Sequence, residues 1–230
     1  MNELLWIGMM LANFGCVMLL YRLWGREGLL YWIPLSVVLA NVQVVKLVEL
    51  FGVTATLGNI VYATSFLVTD ILSENHGRGP AQQAVWIGFF SLIAMTGIMN
   101  LALVFVPSQA DTAQPALETI FKVMPRIALA SLAAYGISQF HDVWAYHWIR
   151  KHTAERMLWL RNNGSTMVSQ LIDSVVFSFL AFWGTVPTDV FWQIVISTYL
   201  FKFIVALCDT PFLYLARHLY RTGRAGLFSA

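Results

Sequence analysis

Long apolar runs alternate with short polar connections along the chain, at about residues 3–21, 29–51, 55–73, 84–106, 125–148, 166–186 and 190–216. An α-helix of roughly 20 apolar residues crosses a hydrocarbon core, so the pattern predicts seven spans, each with some tilt. The connections between the runs differ in charge. Arg22 and Arg26 lie in the first, Arg78 in the third, and Arg150, Lys151, Arg156 and Arg161 in the fifth, while Arg217, Arg221 and Arg224 follow the last run. The second is a tight turn at Gly52, the fourth carries Asp111 and Glu118, and the sixth carries only Asp189. Lys and Arg mark the cytoplasmic side, which predicts an external N-terminus and a cytoplasmic C-terminus; Lys122 and Arg126 run against the trend. The first run has Glu3 where a signal peptide has a basic start, and Tyr21-Arg22-Leu23-Trp24-Gly25-Arg26 follows it without a small-residue cleavage site, so it reads as a retained helix.

Seven spans predict an all-α polytopic membrane protein made of one membrane domain over 1–230. A six-helix core over 29–216 follows an extra N-terminal helix at 1–24, and the halves of that core have opposite orientations, as a 3+3 inverted repeat requires. Between Pro107 and Pro125 the amphipathic stretch Leu117–Val123 suits the outer interface. Gly8, Ala12 and Gly15 give the first helix a small-residue face on which a homodimer can pack.

Composition agrees with this reading and narrows it. The 230 residues are 58% apolar and 11% charged, whereas about a quarter of a soluble domain is charged. A formal net charge of +2, with the basic residues scattered, excludes a nucleic-acid surface. Cys16 and Cys208 both fall in apolar runs and are expected to be buried thiols without metal-ligand spacing. Eight tryptophans, Trp6, Trp24, Trp32, Trp86, Trp144, Trp148, Trp159 and Trp192, fall near expected interfaces and read mostly as belt residues.

Against this background the polar residues inside the runs stand out. A charge at bilayer depth costs at least ~2.5–3.5 kcal/mol, so Lys46, Glu49, Asp70, Asp142, Asp173, Lys202 and Asp209 must face the protein interior. At about 100° per residue, Asn59, Tyr62, Phe66, Thr69, Asp70 and Ser73 form one stripe of the third run. Ser131, Tyr135, Ser138, Gln139 and Asp142 form another on the fifth, and Ser165, Ser169 and Asp173, with Gln170 beside them, a third on the sixth. Three polar stripes predict a cavity. Single Ser and Thr residues in such stripes serve as glue between helices, and Lys46–Glu49 and Lys202–Asp209 are spaced for ion pairs along one helix. Asp173, about two turns inside its run, is the carboxylate with the strongest claim to function. Tyr62, Phe66, Tyr135 and Phe177 share these faces and suit stacking on a planar ligand.

These stripes also carry a family resemblance. Ala40-Asn41, Thr69-Asp70-Ile71-Leu72-Ser73-Glu74 before Gly77, Arg126-Ile127-Ala128 with Ala130-Ser131, Ser138-Gln139 with Asp142, and Leu158-Trp159-Leu160-Arg161-Asn162 with Ser165-Thr166, Ser169-Gln170 and Asp173 resemble the queuosine-precursor, or vitamin-uptake-like, transporter family over about 36–215. His76 departs from it, standing where an aromatic tyrosine is expected near the glycine. The resemblance implies a six-helix secondary transporter that imports preQ0 or preQ1, the 7-deazaguanine precursors of a modified tRNA base, across the inner membrane. Such a base presents adjacent N–H donors beside a carbonyl acceptor, which a carboxylate and an amide or guanidinium match. Asp173 or Asp142 suits the first role; Gln139, Gln170, Asn41 or Arg126 suits the second; Tyr62, Tyr135 or Phe177 stacks on the ring. Asp70, Glu74 and Ser131 complete the candidate binding set, with no cofactor and no metal expected.

Two other readings share these features. The substrate-binding subunit of an energy-coupling-factor vitamin transporter also uses six helices and a small planar ligand, but needs partner subunits. A membrane-embedded enzyme would use His141-Asp142 or the carboxylates, yet the chain has no H-E-x-x-H pair, Walker loop or Ser/His nucleophile arrangement. Adjacent His141 and Asp142 point about 100° apart on a helix and do not form a shared metal site.

Overall fold

The computed structural model describes residues 1–122, 124–153, 157–184 and 187–228. Helix α1 (Asn2–Gln43) breaks at Gly25, whose φ of 56° and ψ of −133° fit no L-residue helix. The break folds α1 into two antiparallel limbs so close that a Cβ on Gly28 would lie 2.2 Å from the Leu20 carbonyl oxygen. The two limbs are the first two expected runs. Trp6 and Phe14 on the first limb meet Phe201 and Phe212 of helix α7 (Thr188–Arg221), and on the second limb Trp32 Nε1 donates to Thr64 Oγ1 at 2.9 Å.

The second expected run ends early. Helix stops at Gln43, and Leu47–Leu50 and Val53–Thr56 form an antiparallel hairpin, β1 and β2. Phe51 and Gly52 both have positive φ, 52° and 78°, as a two-residue primed turn requires. This overturns the helical Lys46–Glu49 pair: Lys46 is exposed in the turn before β1, and Glu49 lies on the strand.

Helix α2 (Gly58–Asn75) is buried along nearly its whole length between α1, α5 and α7. Its polar stripe is affordable because protein, and not lipid, surrounds it. Helix α3 (Arg78–Ala102) leads to a short helix α4 (Gln114–Phe121), then to α5 (Met124–His152) and α6 (Leu158–Phe182). Val123, the end of the expected amphipathic stretch, and Arg156 lie outside the described residues. Among the described residues five helices, α1, α3, α5, α6 and α7, are long and apolar enough to cross a bilayer. Phe90, Leu101, Leu129, Trp86, Ile196 and many other large apolar side chains stay exposed around the bundle, as a lipid-facing surface requires.

At the end of the chain the backbone returns to the break in α1. The amides of Gly226, Leu227 and Phe228 donate to the carbonyls of Tyr21, Arg22 and Leu23 at 2.7–3.2 Å, replacing partners that the break at Gly25 removes.

Several sequence expectations are corrected here. Cys16 is exposed and Cys208 half-buried, so neither is a fully buried thiol. Trp6 and Trp32 belong to the core rather than to a belt, because they plug the contacts between α1 and its neighbours; Trp86, Trp144, Trp148, Trp159 and Trp192 remain exposed. Helix α6 starts eight residues before the expected 166, which draws Arg161 out of the loop and into the interior. Gly8, Ala12 and Gly15 face outward on the first limb, and a Cβ added at either glycine would meet no other part of the protein within 4 Å.

A candidate ligand cavity at the head of a polar ladder

Contacts among α2, α5 and α6 place residues in successive levels, with α2 and α5 parallel and α6 antiparallel to both. At the first level Tyr62 Oη donates to Asp173 Oδ1 at 2.7 Å and Ser138 Oγ donates to the same oxygen at 3.2 Å. At the next, Gln139 accepts from Thr69 Oγ1 at 3.2 Å and its Nε2 meets Ser65 Oγ at 3.3 Å. Asp70 then accepts from Thr166 Oγ1 at 3.0 Å, and Asp142, between Gln139 and Tyr146 on α5, stands at the same level. The last level is an ion-pair knot. Glu74 accepts from Arg161 at 2.5 and 3.0 Å, from Tyr146 Oη at 3.0 Å, and from Arg217 Nε at 3.0 Å. From Arg161 to Asp173 is twelve residues, about 18 Å of helix at 1.5 Å per residue, more than half of a hydrocarbon core.

A small, partly open cavity of about 40 Å³ sits at the head of this ladder, contracted around its polar groups and well below the ~300–1,000 Å³ usual for occupied small-molecule sites. Ala40 and Asn41 of α1, Asn59 and Tyr62 of α2, Ser131 and Ala134 of α5, Asp173 and Phe177 of α6, and Lys202 of α7 line it. Gly58 admits α1 here: a Cβ at that position would stand 2.3 Å from the Ala40 carbonyl oxygen.

Lys202 pairs with Asp173 Oδ2 and holds its ammonium 4.7 Å from the Tyr62 ring centroid. This overturns the expected Lys202–Asp209 pair, since Lys202 points across to α6 and Asp209 accepts from Asn162 Nδ2 at 2.9 Å instead. Asp173 is 1% exposed and Lys202 3%. Asn59 Nδ2, on the cavity wall, is buried without a partner. A carboxylate, an ammonium, an unsatisfied amide donor and two aromatic faces therefore meet in one space.

The candidate residues divide among these positions. Asn41, Tyr62, Ser131, Asp173 and Phe177 line the cavity together. Tyr135 stands behind Tyr62, ring centroids 5.7 Å apart, with its hydroxyl unpartnered. Gln139, Gln170, Asp70 and Asp142 lie further along the ladder, and Glu74 in the knot at its far end. Arg126 is exposed near the opposite end, donating to the Leu180 and Trp183 carbonyls, so it caps α6 and does not reach the cavity. Lys202 and Asn59 are cavity residues absent from the candidate set. Asn59 shares the stripe of Tyr62, which was a usable signal; the charge of Lys202 at bilayer depth marked it as interior, but only the fold decides which helix it faces.

A multi-helix membrane protein with a polar cavity closed by a buried ion pair has the build of a small-molecule carrier. The chain matches the family model described as "Putative vitamin uptake transporter" over residues 56–216 and belongs to that family of membrane transporters. It is 48% identical over 219 residues, 95% of this chain and 96% of the relative, to the "Probable queuosine precursor transporter" of Bacillus subtilis (strain 168). It is 26% identical over 191 residues, 79% of this chain and 83% of the relative, to the "Queuosine precursor transporter" of Escherichia coli (strain K12). No solved structure matches the chain significantly.

Proposed function

We propose that the protein imports a queuosine precursor, preQ0 or preQ1, and binds its 7-deazaguanine ring at the small cavity beside Asp173, which widens to admit it. The names of both relatives support the cargo. The observation that carries the site is Asp173 and Lys202 paired on the cavity wall beside the unsatisfied Asn59 amide. A carboxylate offers about four lone-pair positions, of which Tyr62, Ser138 and Lys202 take three. The remaining position accepts from the N–H edge of the base, while Lys202 Nζ and Asn59 Nδ2 donate to its carbonyl. Phe177 and Tyr62 flank the ring.

In this reading the two limbs of α1 and helices α2, α3, α5, α6 and α7 make seven spans in the inner membrane. The first limb is the extra helix, the other six the transport core, and the C-terminus is cytoplasmic. Gly8, Ala12 and Gly15 are the face available to a second copy.

Purified full-length protein in proteoliposomes tests this directly. Labelled preQ1 should accumulate without any other subunit, unlabelled preQ0 should compete, and guanine and common vitamins should not. Binding without transport would instead assign an energy-coupling-factor subunit, and the absence of both would overturn the reading.

A further inference from the structure

We propose that Asp70 and Asp142, with Asp209 beside them, hold an exchangeable proton whose uptake accompanies cargo movement. The three carboxyls come from α2, α5 and α7 and are 0%, 0% and 1% exposed. On α5 Asp142 stands between Gln139, which meets Ser65 and Thr69, and Tyr146, which meets Glu74, and so at the level of Asp70 on α2; on α6 Thr166 holds Asp70 one turn from Asn162, which holds Asp209.

The count of donors at this level decides the matter. The hydroxyls on the facing stretch of α6 are those of Ser165, Thr166 and Ser169, and each has one proton to give. Ser165 gives its proton to the Arg161 carbonyl, Ser169 to the Ser165 carbonyl, and Thr166 to Asp70 Oδ2. Neither oxygen of Asp142, nor Asp70 Oδ1, has a hydrogen-bond partner. Independently, the Asn162 amide that holds Asp209 leaves its own oxygen, 0% exposed, without a donor. Buried acceptors in such number, facing each other without donors, are destabilising unless a positive charge enters among them. One proton between Asp70 and Asp142 turns two orphaned acceptors into a donor and an acceptor, the arrangement of paired carboxyls that share a single proton.

The surrounding charges do not supply that cation. From α2, Glu74 faces the cluster but is held by Arg161 of α6 and Arg217 of α7. Arg150 of α5 donates to the Ser73 and Glu74 carbonyls, and Tyr146 of α5 donates to Glu74. His141, next to Asp142, turns to Ser169 Oγ at 2.8 Å. Lys202 of α7 belongs to Asp173, and Glu118 and Lys122 at α4 pair with each other. Among the described residues no three His, Cys, Asp or Glu side chains are grouped so as to hold a metal ion, and the sodium arm of the test below separates a proton from an alkali cation. Gln170 stands on α6 between Thr166 and Asp173, 0% exposed with both ends of its amide unpartnered, in the stretch that separates this level from the cavity.

The coupling half of the proposal rests on the cavity being the cargo site, so the experiment has two arms. In the first, infrared difference spectra of the full-length protein across a pH titration should show the carbonyl band of a protonated carboxyl at neutral pH. That band should vanish in Asp142→Asn or Asp70→Asn, remain in Asp173→Asn, and be indifferent to sodium in place of potassium. Absence of the band, its survival in both cluster variants, or its displacement by sodium at constant pH would overturn the proton site whatever the cargo. In the second, an inward gradient of one pH unit should drive preQ1 accumulation by up to about tenfold in proteoliposomes, the free energy of one proton per cargo. Asp142→Asn should accumulate none beyond equilibrium. Uptake indifferent to the gradient in the unsubstituted protein would overturn the coupling, while absence of any preQ1 uptake, with the infrared band intact, would overturn the cargo reading alone.

Discussion

Replacing Lys202 by Met separates what the buried pair does for stability from what it does for binding. Lys202 and Asp173 are 3% and 1% exposed, so their charges are largely withdrawn from water and compensate each other. Met fills a similar volume but leaves Asp173 with only the hydroxyls of Tyr62 and Ser138. Removing one partner of such a pair costs about 3–5 kcal/mol, most of it the penalty of the charge left behind. At roughly 2–4 °C per kcal/mol for a chain of this size, Lys202→Met should lower the unfolding midpoint by about 6–20 °C. Adding Asp173→Asn removes the stranded charge, and the double variant should regain most of that loss, a coupling of at least ~2 kcal/mol. Tryptophan fluorescence during heating in detergent reads the midpoints, and preQ1 titration calorimetry reads binding, which neither variant should retain. A double variant whose loss equals the sum of the two single losses would refute the pairing, and one that regains stability and still binds would refute the role of the pair in the cavity.

Glu74→Gln removes the anion between Arg161 and Arg217 and strands a buried guanidinium, so thermal stability should fall by about 3–5 kcal/mol while the folded fraction keeps its preQ1 affinity in calorimetry. Gly58→Ala pushes a methyl into the Ala40 carbonyl; forcing α1 outward at the cavity wall should cost about 1–3 kcal/mol in thermal unfolding and weaken preQ1 binding. In the connection after α2, burial and then Arg26 lower the pKa of His76, whose Nε2 lies 3.4 Å from the Tyr21 hydroxyl. The unfolded chain then binds the proton more readily, so stability present above the ordinary histidine range should be lost as pH falls through it, and His76→Gln should flatten that part of the stability–pH curve. An apolar maleimide should label Cys16 from the lipid phase faster than Cys208, with mass spectrometry as the readout; equal labelling would contradict the orientation of the first limb.

The membrane class, most helix positions and the polar stripes were legible in the sequence because they follow from local periodicity and from the cost of charge in lipid. Asp173 could be singled out by depth alone, and Tyr62, Ser131 and Phe177 by sharing its faces. What stayed hidden depends on relations between helices. Lys202 and Asp209 are seven apart on one helix, yet the first looks to α6 at the cavity and the second to Asn162. Arg126 looked like a ligand donor because its family motif is striking in sequence, whereas its side chain satisfies two carbonyls at the end of α6. The hairpin at 47–56 was lost inside an apolar run because a short apolar strand and a helix end have the same hydropathy.

The hydrogen bonds from Gly226, Leu227 and Phe228 to the break in α1 join the last described residues to the first helix. During synthesis the carbonyls of Tyr21, Arg22 and Leu23 emerge some two hundred residues before the amides that satisfy them. These bonds therefore cannot close the bend until residues 226–228 have been made, so the first helical hairpin is latched long after its own residues have been synthesised.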